Sequence, residues 1–192
     1  MNRWEAIALF KDHGAIMEGH FLLSSGMHSD TYVQSVRVLQ HPHLGQRLGG
    51  ELAALFPGES IDVVIAPALG GVVIGYMVGM ALSRRMVFAE RRAGTFALRR
   101  GQELRRGERA LVVEDVITTG GSAEEIVSLV RACGAEPLAV TALAERGPST
   151  ELTIPKKALI ELDIQSWKPE DCPLCKEGIE LDSPGSRHLN PD

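Results

Sequence analysis

Apolar positions follow two spacings that alternate along the chain. Largely apolar stretches, typical of buried strands, occupy residues 61–66, 86–89, 111–113, 137–144 and 158–164. Apolar side chains recur at helical spacing around them, in residues 3–13, 42–56, 72–83 and a segment that starts near Ser122. This alternation predicts an α/β fold with a mostly parallel central sheet, flanking helices, and a functional site at the carboxyl ends of the strands.

Two regions fall outside this alternation. Residues 20–33 are predicted to form a strand, a Ser/Gly turn and a second strand, and residues 166–192 form a proline-rich tail. A chain of 192 residues with 44% hydrophobic content can bury one good core. We therefore expect a single domain over 1–192, with small terminal regions at 1–40 and 166–192.

Composition and charge argue against several classes of protein. The net charge of −5 and the pI near 5.7 provide no general basic surface, so we expect no nucleic-acid partner. Residues 63–82 carry no charge, but Pro67 and Gly70-Gly71 divide them into a strand and a helix, so we expect no membrane span. Three cysteines and the absence of a signal-peptide pattern favour a reducing compartment, and we expect a cytoplasmic protein.

The most informative stretch is 111–122, where an apolar strand runs into two carboxylates and then a turn. Glu114 and Asp115 are followed by Val116 and Ile117, and then by Thr118, Thr119, Gly120, Gly121 and Ser122. Backbone N–H groups at a helix start bind anions, and glycine lets the backbone approach a phosphate closely. Carboxylates beside such a turn suit sugar hydroxyls or a hydrated cation, so the stretch predicts a phosphorylated-sugar site. An ordinary capped strand-to-helix turn is the alternative.

This stretch resembles the phosphoribosyl diphosphate (PRPP) signature of type I phosphoribosyltransferases. The resemblance implies a Mg²⁺-dependent enzyme in which residues 114–122 bind PRPP, with Glu114 and Asp115 as catalytic residues near the ribose. Mg²⁺ would be held through PRPP, and Asp115 is the candidate protein ligand. Residues 67–71 resemble the diphosphate-binding loop of the family, which assigns Ala68, Leu69 and Gly70 to PRPP binding.

Arginines are concentrated between positions 91 and 109. A solvated hairpin with charged faces is the simpler interpretation, and we favour it for Arg105, Arg106 and Arg109. For Arg91, Arg92, Arg99 and Arg100 we favour a mobile basic loop, because the family carries its flexible catalytic loop at this place. The resemblance assigns Arg91, Arg99 and Arg100 to catalysis and Arg91 also to PRPP, and arginine forks suit a departing diphosphate. It also implies a homodimer in which loop 91–101 is shared across the interface.

Further features resemble the orotate branch of that family. Residues 20–33 are similar to the N-terminal hood that covers the base, which assigns Ser24, Tyr32 and Thr118 to orotate binding. Arg146 matches the arginine that pairs with the carboxylate of the base, although an arginine at such a corner is often only a surface residue. The implied reaction converts orotate and PRPP to orotidine 5′-monophosphate and diphosphate in pyrimidine biosynthesis. The alternatives are a transferase for a purine-type base and a non-catalytic PRPP-sensing regulator.

The tail contains two cysteines at metal-ligand spacing, Cys172 and Cys175. A structural zinc site needs two more ligands, and Cys133 and His188 are the candidates. The pair therefore predicts half of a zinc site.

Overall fold

The strands and helices come from a computed structural model, which describes residues 1–23, 25–147 and 151–184. The strands are β1 Ile16–Leu22, β2 His28–Val33, β3 Val63–Pro67, β4 Arg85–Arg92, β5 Thr95–Leu98, β6 Arg109–Ile117, β7 Glu136–Arg146, β8 Lys156–Leu162 and β9 Ser166–Trp167. The helices are α1 Arg3–Asp12, α2 Val36–Leu39, α3 Pro42–Ala53, α4 Gly70–Leu82, α5 Gly121–Ala132 and α6 Pro173–Lys176.

A six-stranded sheet in the order β5-β4-β3-β6-β7-β8 forms the centre of the molecule. All its pairings are parallel except that of β5 with β4. Side chains alternate between the two faces: Val64 and Leu111 pack with α1, α3 and α4, whereas Val63 and Val112 pack with α5. Both faces are covered, which explains the continuous apolar runs of β3 and β6 and confirms the predicted fold class.

A second, three-stranded sheet joins the two ends of the chain. The hairpin β1–β2 pairs with β9 through His28 and Trp167, and Asp182 forms a bridge with Phe21 on the other edge. The tail therefore borders the hood on both sides.

The largest difference from the predicted elements lies at 91–101. A mobile loop was the favoured interpretation, but β4 continues to Arg92 and pairs with β5 around a tight turn at Ala93-Gly94. Both turn residues have positive φ. The segment is thus a β-hairpin, and the simpler interpretation is the correct one for its conformation.

Among the described residues, none of the helices combines the length and the apolar character that crossing a membrane requires. The uncharged stretch at 63–82 is divided into β3 and α4, as predicted.

Two adjacent glycines of α3 provide a matched test of its packing against α4. A Cβ atom at Gly49 would lie 2.6 Å from Met77 Cβ and 2.7 Å from the Met77 backbone carbon, whereas one at Gly50 would meet nothing within 4 Å. Gly49→Ala should therefore lower the free energy of unfolding by about 2 kcal/mol through overpacking. Gly50→Ala should raise it by up to about 1 kcal/mol, because alanine is the better helix former. Urea denaturation of both variants measures the contrast, and equal shifts would contradict close α3–α4 contact.

Candidate functional site

An open cleft lies at the carboxyl end of β6, against the start of α5. Its walls are formed by Arg91, Glu114, Val116, Ile117, Thr118, Thr119, Gly120, Gly121, Ser122, Ala123 and Glu125. The predicted sugar-phosphate stretch therefore supplies most of the lining, and its residues are contiguous along the chain.

The turn between β6 and α5 has the geometry of an anion site. Gly120 adopts a φ of 73° as the N-cap of α5, a conformation that favours glycine, and it turns the chain sharply into the helix. The backbone N–H groups of the first helical turn lack partners within the helix and form the positive end of its dipole. Thr118, Thr119 and Ser122 line the same cleft, so hydroxyl donors surround this end of the helix.

The two acidic residues of the signature face opposite sides of the sheet, because successive side chains of a strand alternate. Glu114 is buried and lines the cleft. Asp115 instead accepts a 2.6 Å hydrogen bond from the hydroxyl of Ser35. The strand thus brings one carboxylate to the cleft and turns the other toward the hood.

Gly70 fits closely against the Asp115 carboxylate. A Cβ atom at residue 70 would lie 2.6 Å from Oδ1 of Asp115, so a larger residue there would displace the carboxylate. Together, Ser35 and Gly70 fix the position of Asp115. Sequence reasoning missed Ser35, because it lies 80 positions away and belongs to no motif.

The loop between β3 and α4 contains the predicted diphosphate-binding residues. The N–H of Ala68 already donates to the carbonyl of Ala89, and the peptide between Ala68 and Leu69 is cis. Leu69 is exposed, and α4 begins at Gly70. The Ala68 amide is therefore occupied, and the backbone donors that this loop offers are the amides at the start of α4.

Arg146 lies at the end of β7 on the hood side of the sheet. It is 9% exposed, and its Nε atom has no hydrogen-bond partner among the described residues. Burial lowers the pKa of Arg146, while Tyr32 and Asp30 raise it. Since an arginine in a protein stays protonated, a buried cation with a free donor favours an anionic ligand. Arg146 is thus not the surface residue of the alternative interpretation.

Tyr32 shares this environment. Burial raises the pKa of its phenol, the Asp115 carboxylate raises it further, and Arg146 acts in the opposite direction. The tyrosine is therefore a neutral hydrogen-bond donor at ordinary pH. Ser24, the other predicted hood contact, lies outside the described residues.

The arginines of the β4–β5 hairpin divide into two groups. Arg91 lines the cleft and makes a bidentate pair with Glu125, at 3.0 and 2.9 Å, while its guanidinium lies over the Phe96 ring. Arg99 and Arg100 pair with Glu90 instead; the hydrogen bonds from Arg100, together with the charges of both arginines, hold the pKa of that carboxyl below its ordinary value. Of the three predicted catalytic arginines, only Arg91 lies in the described cleft lining.

The two tail cysteines lie beside two histidines of the hood, His20 and His28. Cys133 was one of the two predicted additional metal ligands, and it is not in this cluster because it caps the end of α5. His188, the other, lies outside the described residues. In the sequence, the only indication that His20 and His28 could lie close together was their place on the two strands of the predicted hairpin.

Comparisons with known proteins agree with this geometry. The phosphoribosyl transferase domain family model matches residues 37–174. The orotate phosphoribosyltransferase of Caldicellulosiruptor bescii is 48% identical over 97% of this chain and 99% of its own length. The orotate phosphoribosyltransferase of Thermotoga petrophila is 47% identical over 92% of this chain and 95% of its own length.

A solved structure shows the same fold. The orotate phosphoribosyltransferase from Aeropyrum pernix aligns with a TM-score of 0.69 at 24% identity, covering 81% of this chain and 92% of that chain. Since the family model covers most of the chain and the relatives match over nearly its full length, the chain belongs to the phosphoribosyltransferase family, in its orotate phosphoribosyltransferase group.

Proposed function

We propose that the cleft and the adjoining hood transfer the 5-phosphoribosyl group of PRPP to orotate, releasing diphosphate and forming orotidine 5′-monophosphate. The observation that carries the choice of base is Arg146, a buried cation with an unpaired donor beside Tyr32. Orotate is a base with a carboxylate, which an arginine fork can bind through two parallel hydrogen bonds. Purine bases carry no such charge.

The 5′-phosphate of PRPP would bind in the turn at 118–122. The amides at the start of α5 and the hydroxyls of Thr118, Thr119 and Ser122 would donate to its oxygens. This anchors one end of the ribose at the carboxyl end of β6.

The carboxylates would act on the ribose itself. Displacement at the anomeric carbon passes through a loose, oxocarbenium-like state, in which positive charge develops on the ring. Glu114 on the cleft side and Asp115 on the hood side would accept hydrogen bonds from the ribose hydroxyls and stabilise that charge. The contacts of Asp115 with Ser35 and Gly70 hold its carboxylate in place before substrate arrives.

The diphosphate would leave toward the loop at 68–70 and the hairpin. The start of α4 would supply amide donors, and Arg91 would exchange its pair with Glu125 for the phosphate oxygens. Arg99 and Arg100 do not belong to the described lining of the cleft in their own chain. We propose that they bind the diphosphate in the cleft of a neighbouring copy.

The residues at this site fit Mg²⁺, because carboxylate and hydroxyl oxygens are the donors that it prefers. Asp115 would be the protein ligand nearest the ribose, and most contacts would be made through PRPP. When bound, Mg²⁺ would neutralise charge on the diphosphate and ribose oxygens.

The direct test is an assay of orotate consumption with PRPP and Mg²⁺, followed by the loss of orotate absorbance. Adenine, guanine and uracil serve as controls. We expect turnover with orotate but not with adenine, guanine or uracil. One diphosphate should be released for each orotate consumed. Turnover with a purine instead would favour the other-base transferase, and PRPP binding without diphosphate release would favour the regulator.

A homodimer is the proposed assembly, with α4 at its interface. The outer face of α4 and the residue before it present four exposed apolar side chains at helical spacing, Leu69, Val73, Tyr76 and Met80. A stripe of this kind is unfavourable in water and suits burial against a second copy.

Tyr76→Glu should therefore convert the dimer to monomer, because it places a charge in the centre of the stripe. Analytical ultracentrifugation at micromolar concentrations measures the change. Trp4→Glu is the matched control, since Trp4 is also exposed but lies on α1. A dimer that survives Tyr76→Glu, or that Trp4→Glu disrupts equally, would contradict the α4 interface.

A further inference from the structure

Four side chains with metal-binding atoms meet where the hood and the tail touch. They are His20, His28, Cys172 and Cys175, and their ligand atoms all lie within 4.8 Å of one another. Both histidines and Cys172 are buried, while Cys175 lies at the exposed edge. Among the residues that the structure describes, no carboxylate belongs to this cluster, and the cluster lies outside the proposed catalytic cleft.

The distances within the cluster match a tetrahedral metal ion. Nε2 of His20 lies 2.9 Å from Nδ1 of His28, 3.4 Å from the Cys172 sulfur and 3.7 Å from the Cys175 sulfur. The Cys175 sulfur lies 3.3 Å from Nδ1 of His28. A zinc ion bound at about 2.0 Å to nitrogen and about 2.3 Å to sulfur separates such atoms by about 3.3 to 3.6 Å. These four distances differ from those values by only a few tenths of an ångström.

Local structure presents each ligand toward the same point. His20 and His28 lie on the two paired strands of the β1–β2 hairpin. Cys172 is the N-cap of α6, and Cys175 follows in the first turn of this short helix, so both thiols lie on one side of the bend. The pairing of β2 with β9 holds the tail beside the hairpin.

The orientation of His20 is fixed by a contact behind the cluster. Its Nδ1 lies 2.8 Å from the carbonyl oxygen of Ile179, which can only accept a hydrogen bond. The ring proton is therefore on Nδ1, and the lone pair of Nε2 points into the cluster. Such a carbonyl contact is the usual support for a metal-binding histidine.

We propose that Nε2 of His20, Nδ1 of His28 and the thiolates of Cys172 and Cys175 bind one structural zinc ion that fastens the tail to the hood. Two thiolates and two neutral imidazoles balance the charge of Zn²⁺, which makes the buried site neutral. Binding releases the two thiol protons to solvent, and four protein ligands leave no position for a reactive water.

A zinc ion at this place would hold a tail that has few other stabilising contacts. The tail segment 173–184 contributes no buried hydrophobic residue, and α6 has only four residues. Its attachments to the hairpin include main-chain bonds of Leu22 and Asp182, the contact of His20 with the Ile179 carbonyl and the short pairing with β9. The ion would add a cross-link between residues more than 140 positions apart, which restricts the unfolded chain strongly.

The test measures bound metal in the full-length chain, purified without a chelator or a histidine tag. Inductively coupled plasma mass spectrometry should find about one zinc per chain in the wild type and in Cys133→Ser, the matched control outside the cluster. Cys175→Ser and His20→Asn should each retain less than about a tenth of that content. Cys175 is exposed, so its replacement leaves a folded protein, which circular dichroism verifies.

Replacement of zinc by cobalt and hydrogen exchange locate the ion. Co²⁺ should give the visible bands of tetrahedral thiolate ligation in the wild type and in Cys133→Ser but not in Cys175→Ser. Chelation should speed amide exchange in 16–33 and 166–182 while leaving 109–117 protected. Zinc below about a tenth of an ion per chain after zinc addition and dialysis would overturn the proposal. Equal zinc content in Cys175→Ser, His20→Asn and wild type would also overturn it. None of these readouts depends on transferase activity.

Discussion

Asp115→Asn should lower kcat for orotate ribosylation by about 10²- to 10³-fold, the range observed when one preorganised electrostatic group is removed from an active site. Asparagine has nearly the same shape and retains an oxygen that can accept the Ser35 hydroxyl hydrogen bond. It lacks the negative charge that would stabilise the developing oxocarbenium ion. We therefore expect a large loss of turnover with a melting temperature close to that of the wild type.

Steady-state kinetics at saturating orotate and PRPP, together with thermal denaturation, separate these effects. Asp12→Asn is the matched control, because Asp12 is exposed at the end of α1, far along the chain from β6. Near-normal kcat in Asp115→Asn would contradict a role for its charge. A fall in melting temperature large enough to explain the loss of activity would assign Asp115 to stability instead.

Arg146→Ala should raise the KM for orotate by about 10- to 100-fold, because a hydrogen bond to a charged group contributes about 1.5 to 3 kcal/mol. The KM for PRPP should change little, since the residues proposed to bind phosphate lie on other elements, at the starts of α4 and α5. Removing a buried, partly unpaired cation should not reduce stability greatly.

Arg146→Lys distinguishes geometry from charge. Lysine retains the positive charge but not the planar fork, so it should recover only part of the orotate affinity. Initial rates measured with each substrate varied in turn provide both KM values. An equal rise in the two KM values for Arg146→Ala, or complete rescue by lysine, would contradict carboxylate recognition by the fork.

Local sequence patterns were sufficient to predict the central strands and helices. The apolar pattern predicted β3, β6, β7, α3 and α4 to within a few residues. A buried strand gives a continuous apolar run and a helix packed on one face gives apolar residues at helical spacing, so both can be recognised in the sequence. The turn at 118–122 was also predictable, since strand, acids, turn and helix are contiguous. Its side chains needed no distant partner to come together.

The hairpin at 91–101 shows where local reasoning failed. Its arginines were assigned mainly to a mobile loop, yet Arg91 pairs with Glu125 on α5, and Arg99 and Arg100 pair with Glu90 on β4. The sequence does not show which acidic residue each arginine pairs with, because Glu125 lies 34 positions from Arg91 and Glu90 lies 10 positions from Arg100. Glu90 meets Arg99 and Arg100 through the antiparallel pairing of β4 with β5, and Arg91 meets Glu125 through the position of α5.

The sequence by itself determined the strand-turn-helix of the phosphate site and the alternating elements that carry it, because these depend on interactions between neighbours in the chain. Only the tertiary structure decided which side of the sheet each carboxylate faces, that Ser35 and Gly70 contact Asp115, and that two histidines lie beside the cysteine pair. These contacts join residues from distant parts of the chain. They form only when the sheet, the hood and the tail have packed together.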